Sequence, residues 1–354
     1  MKKSLQIGSA FVGLIVGAGF ASGQEVMQYF TSFGIWGLAG GVVATFLFMF
    51  LGYTFAQLGS DMGEISHKGV IHKIGGKIFG PIFDILITFF LFGVAVVMFA
   101  GSGSTFEQMF GITPMVGSMI MVALTILTLL LDSQKVISMI AMVTPYLIAI
   151  ILIILIYSIF TMDISFAEAD ALAQEQPSAA PNWLLGAFLY VSYNIAAGAA
   201  LLIVVSGGTK DRKISGRGGL IGGAILGALI ILINIGMFVK IDQVGHLDMP
   251  TLELATQIHP FVGILMAIAL LGMMYNTSVG MLYSFAARIV TTNSRKKYNL
   301  AVVVIGFLGF FASLVGFTTL VGEVYAVMGY LGFALIIAAV IAWFKNRKEL
   351  LAVK

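Results

Sequence analysis

Apolar runs about twenty residues long recur along this 354-residue chain, and that one feature leaves it few folds. A helix needs roughly 20 apolar residues to cross the ~30 Å hydrocarbon core of a bilayer. Ten such runs can be read, at about 5–30, 36–60, 80–107, 113–131, 136–160, 182–206, 216–240, 260–291, 299–316 and 320–344. Lipid offers backbone groups no hydrogen-bond partners, and no alternating strand pattern is visible, so the runs are expected to be helices. Only 10% of the residues are charged, against about 25% in a soluble domain. No stretch is long and polar enough to form a separate soluble unit, so the expectation is one all-α transmembrane domain over 1–354. The opening MKKSLQIGSAFVGLIVGAGFASG also has the form of a signal peptide, but the spans count evenly only if it is kept. With no cysteine, disulfides and thiolate metal sites are excluded.

Charge orients the spans. Of 19 Lys and Arg residues, all but Lys240 fall on one side once the ten spans are threaded. The connection after the fifth span carries Asp163, Glu168, Asp170 and Glu175 with no Lys or Arg. By the positive-inside rule both termini are expected in the cytoplasm. Two long connections, 61–80 inside and 241–260 outside, lie half a chain apart, each with room for a short amphipathic helix. Five spans (1–160) followed by five (182–354), with matching connections on opposite faces, is the pattern of an inverted repeat.

Two spans carry polar and small residues where a lipid-soluble helix would add leucines. The first reads VGLIVGAGFASGQEVMQYF from Val12 to Phe30. The sixth carries SYNIAAG from Ser192 to Gly198. Glycine costs roughly 1 kcal/mol in a helix interior, and unsatisfied backbone in lipid costs more. Such breaks are tolerated where they line an enclosed or watered cavity. The competing reading is a small-residue packing seam, which Gly13 and Gly17 also fit. Breaks at matching positions in two spans favour the cavity.

GAGFASGQE, SYNIAAG and the 5+5 order resemble the amino acid–polyamine–organocation transporter superfamily, and within it the bacterial YkvI-like branch, over essentially the entire chain. The resemblance implies the leucine-transporter fold with spans 1 and 6 broken. It implies a solute carboxylate held by backbone at Ile15, Gly17, Ala18, Gly19 and Phe20. The sixth span would contribute Ser192, Tyr193, Asn194 and Gly198. Sodium-coupled members carry a hydroxyl pair on span 8. The matching positions here are Thr277 and Ser278, with carbonyls of Gly13, Val16 and Met274 completing a candidate sodium site. Oxygen ligands suit a hard cation, although both hydroxyls could instead bond back to their own helix. The lysine that proton-coupled relatives place on span 5 is missing from Val136–Phe160. So are the aspartate–proline pair and the methionine of the metal-ion transporters in spans 1 and 6.

Carboxylates within spans need reasons, because a charge at a helix centre costs about 2.5–3.5 kcal/mol. Asp84 and Glu323 read as acids near positive helix ends, and Glu107 as an interfacial residue. Glu25, beside Gln24, has no basic partner in its own span or the next. It reads either as a contact for a solute amine or carrier of a coupling proton, or as a gate residue satisfying free N–H groups. The resulting expectation is a cation-coupled secondary transporter of a small amino acid or related zwitterion or amine. Proton coupling is the alternative coupling. A channel or sensor that keeps the fold is the alternative class. No base–nucleophile constellation speaks for an enzyme. A small solute and the bilayer are the expected partners, with no cofactor beyond the coupling ion and no nucleic acid. Oligomeric state is open.

Overall fold

A computed structural model describes residues 2–63, 67–131, 143–290 and 294–352, and every regular element among them is helical. The first expected span divides into α1 (Lys2–Ile15), α2 (Ala18–Ser22) and α3 (Gln24–Tyr29). The next four correspond to α4 (Ile35–Met62), α5 (His67–Phe110), α6 (Pro114–Leu131) and α7 (Val143–Phe160). After a short helix, α8 (Phe166–Gln174), come α9 (Trp183–Gly207) and α10 (Arg212–Phe238). The long connection after α10 holds α11 (Ile241–Val244) and α12 (Pro250–Ile258). The last three are α13 (Pro260–Ile289), α14 (Arg295–Ser313) and α15 (Phe317–Ala352). Among the described residues seven helices are long and apolar enough to cross a membrane, or eight if the bent α9 is one span. The expected first crossing is excluded by its break, and residues 136–142 of the expected fifth lie outside the described residues. Large apolar side chains such as Phe46, Ile85, Leu127, Phe307 and Ile341 are exposed on the helix surfaces, as lipid-facing positions are.

Two sequence expectations need correction here. Among the described residues of the 61–80 connection there is no separate amphipathic helix: α5 begins at His67 and runs unbroken through Pro81. Asp84 therefore lies in a helix interior, and its offset is an ion pair with Arg288 of α13 at 3.2 Å rather than a helix end. The 241–260 connection does contain the expected short helix, α12.

Local chemistry starts several helices. Asn182 accepts from the Leu185 N–H at 2.9 Å to begin α9, and Asp211 accepts from Lys213 and Ile214 at 2.8 and 3.1 Å to begin α10. Such caps satisfy N–H groups the helix cannot. Lys240, the lone cation on its side, is buried and bonds to Asp163 at 2.7 Å.

The spans pack as two groups. In one, α1, α4, α9 and α10 pack on one another; in the other, α5, α6, α13 and α14 do. The first group closes on small residues: a Cβ on Gly219 would lie 2.1 Å from the Gly52 carbonyl oxygen, so only glycine permits that approach. α15 lies against α9 and α5 and so touches both groups.

Polar contacts between the groups gather at the face carrying the 241–259 connection. Asp248 of that connection accepts from Ser104 of α5 at 2.6 Å and from Thr318 of α15. Thr318 in turn accepts from Gln24 of α3 at 3.0 Å, and its carbonyl accepts from Gln28 at 2.7 Å. Thr251 donates to the Ala21 carbonyl. Near the opposite face, Gln57 of α4 binds Arg212 of α10 at 3.0 Å and Trp343 of α15 at 2.9 Å, while Arg212 pairs with Asp61 at 3.2 Å. These contacts tie the first group to itself and to α15, and the Asp84–Arg288 pair ties the second group to itself.

Candidate binding site at the break in the first span

α1 ends at Ile15, and Val16 and Gly17 are non-helical before α2 starts at Ala18. A second interruption follows at Gly23, whose φ of 84° is left-handed backbone. A side chain there would also meet Met237 Sδ at 2.8 Å and Thr251 Cγ2 at 2.9 Å. Glycine is thus required at Gly23 on two counts. The first span is broken where the sequence says it should be.

A cavity of about 190 Å³ opens at this break, between the two helix groups. From the first group it is lined by Gly13 to Gly19, Glu25, Tyr193, Asn194 and Ala197. The second contributes Val94 and Met98 of α5, and Met273, Asn276, Thr277 and Met281 of α13. Tyr325 and Met328 of α15 complete the wall.

Of the residues expected on the carboxylate side, Ile15, Gly17, Ala18 and Gly19 line this cavity, while Phe20 is buried away from it. On the sixth span Tyr193 and Asn194 line it, and Ser192 and Gly198 do not. The reason is helix phase. α9 stays helical through Ser192–Gly198 and bends by 51° between Ala199 and Leu201, beyond the expected break. Successive residues point 100° apart, so 193, 194 and 197 share a face that 192 and 198 leave. Ser192 instead donates to the Gly329 carbonyl at 2.7 Å. Gly198 lets α9 approach α1, where an added Cβ would meet Ile15 Cδ1 at 3.1 Å.

Glu25 and Gln24 part company. Gln24 faces α15 and the 241–259 side through Thr318. The carboxyl of Glu25 reaches the cavity, is 6% exposed, and accepts from the Tyr193 hydroxyl at 2.6 Å. Its Oε1 fills the volume a Gly19 side chain would occupy, only 2.0 Å from that absent Cβ. Packed rings of Tyr29, Tyr190, Tyr193 and Tyr325 lie beyond it, with centroid separations of 5.6 Å for Tyr29–Tyr190 and 4.8 Å for Tyr193–Tyr325.

The candidate sodium residues divide likewise. Gly13, Val16 and Thr277 meet at the cavity, and the Thr277 hydroxyl makes no hydrogen bond among the described residues. The Ser278 hydroxyl is engaged, donating to the Tyr275 carbonyl at 3.0 Å and lying 3.0 Å from the Thr125 hydroxyl. That is the back-bonding arrangement common in membrane helices. Met274 is fully buried, with its sulfur accepting from Thr105 at 3.8 Å.

The sequence reading missed Leu14, Val94, Met98, Ala197, Met273, Asn276, Met281, Tyr325 and Met328. Spacing was the signal that could have grouped several of them: Val94 and Met98 are four apart, Met273 and Met281 each four from Thr277, and Tyr325 and Met328 three apart.

No protein-family model matches the chain. It is 25% identical over 346 residues to the membrane protein YkvI of Bacillus subtilis (strain 168), covering 98% of this chain and 97% of that one. It is 24% identical over 326 residues to the protein YyaD of the same organism, covering 92% and 93%. Among solved structures it is similar to Mhp1 in an inward-facing conformation, with TM-score 0.69 and 17% identity over 95% of this chain and 74% of that one. MhsT in complex with L-phenylalanine follows at TM-score 0.64 and 18% identity, covering 94% and 87%. A manganese transporter of Eremococcus coleocola gives 0.61 and 15%, covering 95% and 77%. The chain is therefore a multi-pass membrane protein with the leucine-transporter type of fold, related along its whole length to YkvI.

Proposed function

We propose that this protein is a secondary active transporter that carries a small amino acid or related zwitterion or amine by alternating access, coupled to sodium. One observation carries the reading. A small cavity lies at a helix break between two helix groups, and polar contacts join the groups across the 241–259 face. Rocking one group on the other would release that face and close the opposite one, which is how transporters of this architecture expose a fixed site alternately. The charge pattern puts the 241–259 face outside and both termini in the cytoplasm. Membership of spans n and n + 5 in the same group (1 and 6, 2 and 7; 3 and 8, 4 and 9) supports the 1–160 and 182–354 repeat.

Sodium is preferred because Thr277 offers a free hydroxyl beside the peptide groups of Gly13 and Val16. Glu25 supports proton coupling as the second reading, being a carboxyl within the same cavity. Uptake of a radiolabelled amino-acid and amine panel into proteoliposomes, with sodium and proton gradients imposed in turn, tests both. Accumulation driven by sodium is the expected result. Accumulation under neither gradient for any compound would leave a channel or sensor. Thr277→Ala should abolish the sodium dependence, and an unchanged sodium response would remove the ion site.

A further inference from the structure

The transport reading leaves the solute open between zwitterion and amine. Resting on that reading and narrowing it, we infer that the cavity is a receptor for a small organic ammonium ion with an apolar body, held by Glu25 and needing no carboxylate of its own.

The charges point one way. Among the described residues Glu25 is the sole carboxylate lining the cavity, and no Lys, Arg or His lines it. Its hydrogen-bond donor, Tyr193, is neutral. Burying a carboxylate without a counter-ion is costly, and a bound ammonium offsets part of that cost. The same wall carries the C-terminal end of the 14-residue α1, where the carbonyls of Gly13, Leu14 and Ile15 form the negative end of the helix dipole. Asn276 adds a buried Oδ1 with no donor among the described residues. A solute carboxylate would face the Glu25 charge and the negative helix end, with the Thr277 hydroxyl, the Asn276 amide and the start of the five-residue α2 as its donors.

The walls identify the rest of the solute. Tyr193 and Tyr325 present aromatic rings, which attract ammonium groups. Thioether side chains of Met98, Met273, Met281 and Met328 surround the remaining space and suit an alkyl body. A volume near 190 Å³ is below the roughly 300–1,000 Å³ of pockets for drug-sized ligands, so the solute is small. A hard divalent ion would want about six oxygen ligands. Among the described residues no group of three or more His, Cys, Asp or Glu side chains is assembled.

The test uses three probes that share a 3-methylbutyl body: isopentylamine, L-leucine and 4-methylpentanoate. Each is titrated calorimetrically into the full chain in lipid nanodiscs. Isopentylamine should bind at least as tightly as L-leucine, and 4-methylpentanoate at least 100-fold more weakly. Glu25→Gln, nearly isosteric, should weaken isopentylamine at least tenfold. Tyr193→Phe, which keeps the ring, should weaken it less. The probe ranking is read on the unmodified chain and does not depend on either variant folding. Tighter binding of 4-methylpentanoate, no binding of isopentylamine, displacement of isopentylamine by micromolar manganese, or unchanged affinity in Glu25→Gln would each overturn the inference. Isopentylamine binding without uptake into proteoliposomes would defeat the transport reading and leave this one standing. Sodium-driven L-leucine uptake indifferent to Glu25→Gln would do the reverse.

Discussion

The first and sixth spans, which the proposed repeat would pair, meet the cavity differently. The first gives up its helix: two non-helical residues, a five-residue helix and a left-handed glycine put peptide groups and the Glu25 carboxyl at the site. The sixth keeps its helix past the cavity and bends only beyond Ala199, so it offers side chains, Tyr193 and Asn194, on one face. The lesson is that polar and small residues at membrane depth have two uses. In the first span glycine removes bulk so that backbone and Glu25 can approach. In the sixth, Ser192, Asn194 and Gly198 satisfy carbonyls or permit packing within an intact helix, as the Asn194 bond to Tyr190 at 3.0 Å shows.

Substitutions at these glycines and hydroxyls can break that contrast. Gly23→Ala should be worst, because a left-handed residue with a Cβ costs about 1–2 kcal/mol and overpacking about 1–3 more. Thermal unfolding in detergent should show a loss of roughly 2–5 kcal/mol from these combined terms. Gly19→Ala displaces the Glu25 carboxyl from its seat. Solute binding should fall at least tenfold, with a stability loss of about 1–3 kcal/mol read by the same unfolding assay. Ser192→Ala removes one buried hydrogen bond to Gly329 and should cost about 1 kcal/mol with binding intact. Gly198→Ala meets only the flexible tip of Ile15, so its effect should stay below about 1 kcal/mol of overpacking strain. If Gly198→Ala proved as damaging to binding as Gly19→Ala, the two spans would be equivalent after all.

Much of this was legible in the chain itself. Apolar run length exposed the spans, the glycines located the first break, and the missing basic partner singled out Glu25. The sixth span misled because hydroxyls and glycine at membrane depth read as an unwound segment, whereas helix phase assigns only 193, 194 and 197 to the cavity. Val94, Met98 and Met328 were illegible for another reason. An apolar side chain toward a cavity is the same residue as one toward lipid, and only packing separates them. Asp84 misled because its helix begins at His67, several turns before hydropathy suggested.

Asp248 has a consequence for timing. Each of its oxygens holds a different crossing, through Ser104 and Thr318, and Thr318 reaches on to Gln24 next to the cavity carboxyl. Under the alternating-access reading proposed above, opening that face has to part both bonds to Asp248, so weakening either one would shorten the closed state without altering what fits inside.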